Sequence, residues 1–100
     1  MKPLLIDSKS KFREVLDAAL AKARQHVAAE PADSFQKSIL AQLEFVARCI
    51  AENHAASASE LEKVNFGVIA VRTLEDTEPE YASTLSELEY AFRRWPTLRG

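Results

Sequence analysis

The strongest constraint on this chain is the recurrence of apolar residues at helical spacing, interrupted only by prolines and short polar stretches. Over residues 9–29, Phe12, Val15, Leu16, Ala19, Leu20, Ala23 and Val27 fall on one stripe. Arg13, Glu14, Asp17, Ala21 and Arg24 occupy much of the opposite side. Pro31 stops the pattern, because a proline disfavours helical geometry in the residue before it. Asp33 and Gln36 then have the spacing of a capping box. The helix they open carries Phe35, Ile39, Leu43, Val46 and Ile50 as its buried stripe, with Leu40 and Phe45 on the flanks. So wide an apolar arc predicts contacts on more than one side, or with a partner.

Asn53-His54-Ala55-Ala56-Ser57 is a polar, small-residue connection, and Ser57 with Glu60, or Ser59 with Glu62, can cap a third helix. In that helix Leu61, Val64, Val68 and Val71 share a broad face, Phe66 and Ile69 lie round the other side, and Asn65 and Arg72 form a narrow polar seam. A helix apolar nearly all round is expected to be the most buried. A strand over residues 66–71 competes, since the run is rich in β-branched residues, but no second strand exists to pair with it. Gly67 in a helix costs about 1 kcal/mol relative to alanine, and close approach of a neighbouring backbone accounts for it.

Thr77, Pro79 and Glu80 have the pattern of a fourth helix start, Tyr81, Leu85, Leu88, Phe92 and Trp95 form its stripe, and Pro96 ends it. Tyr90 points away from that stripe. Helices over about 9–29, 34–53, 60–74 and 78–94, joined by short connections, predict an all-α antiparallel four-helix bundle. A chain of 100 residues holds one such domain, spanning 1–100.

Composition narrows the partners. With 47% hydrophobic residues and a net charge of −2 the chain is not disordered, and it lacks an overall electrostatic affinity for nucleic acid or acidic membranes. A helix-turn-helix DNA binder wants a basic recognition helix, whereas the two middle helices lie in an acidic stretch. The first apolar run ends at Asp7, short of the roughly 7–15 apolar residues of a secretory signal and the roughly 20 of a membrane span, so a cytoplasmic protein is expected.

Chemistry is hard to find in the residues. Cys49 is the only cysteine and falls within an apolar helical pattern, where a thiol packs as a small hydrophobe. His26 and His54 are the only histidines, and no spacing ties either to a metal or a catalytic partner. Two glycines cannot build a phosphate loop, and the serines cluster near helix starts, where capping explains them. The expectation is a protein that is not an enzyme and holds no cofactor and no metal.

The charges are uneven. Residues 1–30 carry six Lys/Arg against four Asp/Glu, residues 31–80 four against nine, and residues 81–100 three against two. Within the acidic middle, Glu75, Asp76, Glu78 and Glu80 crowd the loop entering the fourth helix. Carboxylates at a helix N-terminus each contribute about 0.3–1 kcal/mol through the helix dipole, and one or two suffice for that. Four in six residues make a compact negative patch able to complement a basic cleft.

The segment Gln-Leu-Glu-Phe-Val-Ala-Arg-Cys-Ile at 42–50, followed by Phe-Gly-Val-Ile-Ala-Val-Arg-Thr-Leu-Glu-Asp-Thr-Glu-Pro-Glu at 66–80, resembles a known family. It is similar to the small helical immunity proteins of bacterial type VI secretion, whose best-known member neutralises an NAD(P)-degrading toxin. The likeness covers residues 35–92 and is densest over 67–72 and 75–80, while the first helix matches only in pattern. The resemblance implies an all-helical cytoplasmic antitoxin that binds a cognate effector, an NAD(P)+ glycohydrolase, and blocks its active site. Under that reading Glu75, Asp76, Glu78 and Glu80 are the expected toxin contacts, with Glu44, Arg48 and Tyr90 beside them. Charge reversal at Asp76 and Glu78 is then expected to weaken toxin binding and to leave folding intact. The competing reading of Glu44 and Arg48, and the one favoured over a toxin contact, is an ordinary solvated helix face. The alternative is a homodimeric helical scaffold or adaptor without a toxin partner, in which the wide apolar arcs bury against a second copy of the chain.

Overall fold

The computed structural model describes residues 6–52, 54 and 56–99; residues 1–5, 53, 55 and 100 lie outside it, and with them most of the N-terminal apolar run and part of the connection after the second helix. Helix α1 (Lys9–Ala29) starts on Ser8, whose Oγ accepts from the Lys11 N–H at 3.1 Å, and ends before Pro31. The Asp33 carboxylate accepts from the N–H groups of Phe35 and Gln36 at 2.9 and 3.2 Å and so opens α2 (Ser34–Ala51). Helix α3 (Ala58–Glu62) is little more than one turn and begins with a complete capping box. There the Glu60 N–H donates to Ser57 Oγ at 3.1 Å and the Ser57 N–H donates back to Glu60 Oε1 at 2.9 Å. Helices α4 (Phe66–Leu74) and α5 (Pro79–Arg93) follow, then a 3₁₀ turn over Trp95–Thr97.

The all-α bundle forms as expected, from α1, α2, α4 and α5. Helix α1 packs on α2 and α5, and α4 packs on the same two, so the four close a ring around one apolar cluster. Phe12 sits at the centre of its aromatic part. It meets the Trp95 ring edge-on at 5.1 Å and lies 6.5 Å from Phe92, which in turn meets Phe45 of α2 at 6.4 Å. Behind Trp95 the chain returns to its start, and the Lys9 N–H donates to the Arg99 carbonyl at 2.7 Å.

The expected single helix over 60–74 is two helices. The chain tightens through i→i+3 bonds from Lys63 and Val64 to Glu60 and Leu61, and Asn65 leaves helical geometry at φ −145°. Side chains from two other helices satisfy the polar groups this break exposes. Gln42 of α2 pairs with Asn65 twice, accepting from its backbone N–H at 2.7 Å and donating to its Oδ1 at 2.8 Å. Arg93 of α5 donates to the carbonyls of Val64 and Leu61 at 3.0 and 3.3 Å, and Glu89 accepts the Gly67 N–H at 2.9 Å. A long-range set of caps thus replaces the continuous helical hydrogen bonding across residues 63–65.

Two burial expectations also change. Phe35 is 54% exposed at the start of α2, and Gln36 takes the buried position one residue later. Helix α4, expected to be buried nearly all round, buries Phe66, Gly67, Ala70 and Leu74 but leaves Val68 46% and Val71 39% exposed. The reason lies at Gly67. A Cβ there would stand 2.9 Å from Ser86 Cα and 3.1 Å from the Leu85 carbonyl, so α4 packs on α5 through its smallest residue and turns two valines outward. Thr77 does not cap α5: its N–H donates to the Leu74 carbonyl, and Glu78 stands at the N-cap with its side chain turned away from the helix N–H groups.

Candidate protein-binding surface

The turn between α4 and α5 exists because Leu74 closes one helix with two backbone bonds, from Thr77 and Glu78, and Pro79 opens the next. It carries the four candidate carboxylates, which the fold sorts into two kinds. Glu75, Asp76 and Glu80 are exposed, and among the described residues none is ion-paired. Glu78 instead turns back onto α1. Its oxygens lie 3.1 Å from Lys22 Nζ and 2.9 Å from His26 Nε2, and its side chain is only 28% exposed.

This anchor is built on Tyr81. The His26 ring stacks on the tyrosine at 5.3 Å, and Lys22 Nζ stands over the same ring at 5.0 Å. Burial, helped by the Glu78 charge, pushes the Tyr81 phenol up to about 12, so the hydroxyl stays neutral at any physiological pH. Glu78 therefore fixes the turn against α1, while its three neighbours present charge outward.

Beside the turn runs a shallow groove between α4 and α5. Its α4 wall is Val68 and Val71, its floor is Gly67, and its α5 wall is Ser83 and Ser86. The groove lies where Gly67 lets the two backbones approach closely, and the short side chains of Ser83 and Ser86 opposite leave the valines uncovered. Glu75 and Glu87 line the end nearest the turn, and among the described residues Arg72 is the one cation on its rim. Tyr90, 60% exposed, lies one turn beyond Ser86 on the same face of α5, with the Arg94 guanidinium 4.8 Å from its ring centre.

Glu44 and Arg48 are not brought to this surface. Both are exposed on α2, and Arg48 borders a separate recess with Phe45, Glu52, His54 and Glu60. Hydrogen bonds from the Ser57 backbone and from His54 hold the Glu60 carboxyl below its ordinary value. Cys49 is buried at that recess, and burial together with the Glu60 and Glu52 charges pushes its thiol up, which disfavours the thiolate. Among the described residues no group of three or more His, Cys, Asp or Glu side chains is arranged to hold a metal, and no helix is long and apolar enough to cross a membrane.

Of the groove residues, Ser83, Ser86 and Glu87 were not singled out from the sequence, and Val68 and Val71 were expected to be buried. The signal for them was present: α4 carries more apolar positions than one buried face can use, and Gly67 marks the side that packs. Comparison with curated proteins and with solved structures returned no match. A family model, Tsi6, matches the chain over residues 11–94.

Proposed function

The chain belongs to the Tsi6 family of type VI secretion immunity proteins, and on that premise we propose that it acts in the cytoplasm by binding its cognate effector across the α4–α5 turn and covering the effector's active site. The observation that carries the reading is the family match over residues 11–94. The turn is its best-placed instrument. Glu75, Asp76 and Glu80 project from a segment that Glu78 ties to Lys22 and His26 beside Tyr81, which lowers the ordering entropy spent on binding.

The proposed effector is an NAD(P)+ glycohydrolase. A pocket that receives a dinucleotide pyrophosphate offers basic side chains or free backbone N–H groups to the phosphates. A compact trio of carboxylates satisfies the same donors from outside and bars the nucleotide without copying its shape. Inhibition then needs no chemistry from this chain. Its residues supply charge, shape and a rigid mount.

The test is NAD+ hydrolysis by the effector domain encoded with this protein, titrated with the purified chain. Loss of activity at near-stoichiometric addition is the expected result. Undiminished hydrolysis in the presence of folded protein removes the immunity role against that effector. If the effector binds tightly but has no NAD+ hydrolase activity of its own, the immunity role stands and the target chemistry is revised.

A further inference from the structure

We propose that the α4–α5 groove is a second half of the effector-binding surface, seating a segment of the effector that pairs an apolar side chain with a lysine or arginine. The inference rests on the immunity reading above and adds to it a partner chemistry that the acidic turn does not specify. Val68 and Val71 stand half-exposed side by side over a floor made by Gly67, with Ser83 and Ser86 opposite. Adjoining apolar side chains in a concave, polar-rimmed setting are a mark of an interaction site rather than of ordinary surface.

Charge selects among occupants. Glu75 and Glu87 line the groove itself, and Asp76 and Glu80 stand close by at the turn. Among the described residues Arg72 is the only cation on the rim, and none of these four carboxylates has an ion-pair partner. By contrast Glu78 and Glu89, the two acids of this region with structural duties, are both partnered. A second copy of the chain docking here about a two-fold axis brings these carboxylates against their own images. A nucleic acid brings phosphates against them. An effector segment with one apolar and one basic side chain meets both halves of the groove: the apolar group lies between the valines, and the cation meets Glu75 and Glu87.

The test measures affinity of the purified effector domain for the full chain and for three variants, with circular dichroism and thermal melting as folding controls. Val68→Glu/Val71→Glu is expected to weaken binding by about tenfold or more while the melting curve stays near that of the wild type. Ser86→Arg, at an exposed position on the groove wall, fills the groove and places a cation among its carboxylates, and is expected to weaken binding similarly. Phe35→Glu, on an exposed site of α2 away from the groove, is expected to bind as the wild type does. Folded groove variants that bind like the wild type overturn the groove and leave the immunity role intact. A wild type that binds no effector overturns that role itself. A wild-type dimer that either groove variant converts to monomer assigns the face to a second copy and also overturns the proposal.

Discussion

Gly67 decides how α4 meets α5, and its effect runs opposite to its helix propensity. Alanine in an exposed helix is favoured over glycine by about 1 kcal/mol. Here the added Cβ meets two neighbouring backbone atoms of α5, Ser86 Cα and the Leu85 carbonyl oxygen, and backbone cannot rotate away. Gly67→Ala is therefore expected to destabilise the fold by about 1–3 kcal/mol through overpacking, read as a lower midpoint in urea denaturation. Tyr81 makes the opposite case. Among the described residues its buried hydroxyl has no hydrogen-bond partner, while its ring supports His26 and Lys22. Tyr81→Phe keeps the ring and removes the orphaned hydroxyl, so stability is expected to hold or to rise by about 1 kcal/mol. The same residue sets an alkaline limit. Its folded pKa of about 12 exceeds the ordinary value of 10.0, so between those values only the unfolded chain releases the proton, and stability falls as pH rises. That slope is expected in the wild type and to be shallower in Tyr81→Phe.

At the scale of elements, the third helix is where local pattern and tertiary structure part. Helical spacing runs without a proline from residue 60 to residue 74, so nothing local announces a break at 63–65. What sustains it is distant in sequence: Gln42 on Asn65, Arg93 on the carbonyls of Leu61 and Val64, and Glu89 on the Gly67 N–H. Arg93 also leans on Glu89 at 3.5 Å, so the two act as one cap spanning both helix ends. Arg93→Ala is expected to cost about 1–2 kcal/mol, since hydrogen bonds from a charged donor are among the stronger ones and this one is partly exposed. The loss should be local. Amide hydrogen exchange should quicken across α3 and the first turn of α4 while α1 keeps its protection. Uniform loss of protection in every helix would show that Arg93 holds the whole bundle.

For the molecule as a whole, the sorting of the acidic residues changes which substitution tests binding. Reversing Glu78 breaks its contacts to Lys22 and His26, so the pair Asp76 and Glu78 confounds folding with recognition. Glu75 and Asp76 are exposed and carry no such duty. Glu75→Lys/Asp76→Lys is expected to weaken effector binding by about tenfold or more, with the larger part of the loss in association rate, and to leave the melting temperature within a degree or two of the wild type. Raising the salt concentration should slow wild-type association and bring it towards the variant. Equal rates at low salt would remove the turn from the interface.

The all-α class, the two long helices, the capping by Asp33 and by Ser57 with Glu60, and the stripe from Tyr81 to Trp95 were all legible in the chain itself. Each depends on residues within a few positions of one another, where backbone geometry and hydrogen-bond reach are set by spacing alone. The exposure of the valines, the break before Asn65 and the separate duty of Glu78 were decided by tertiary structure. An amphipathic pattern reports how much apolar surface a helix offers but not which neighbour covers it. A carboxylate in an acidic run shows its charge in the sequence, whereas the lysine and histidine that claim Glu78 lie on another helix and reach it only after the bundle has closed.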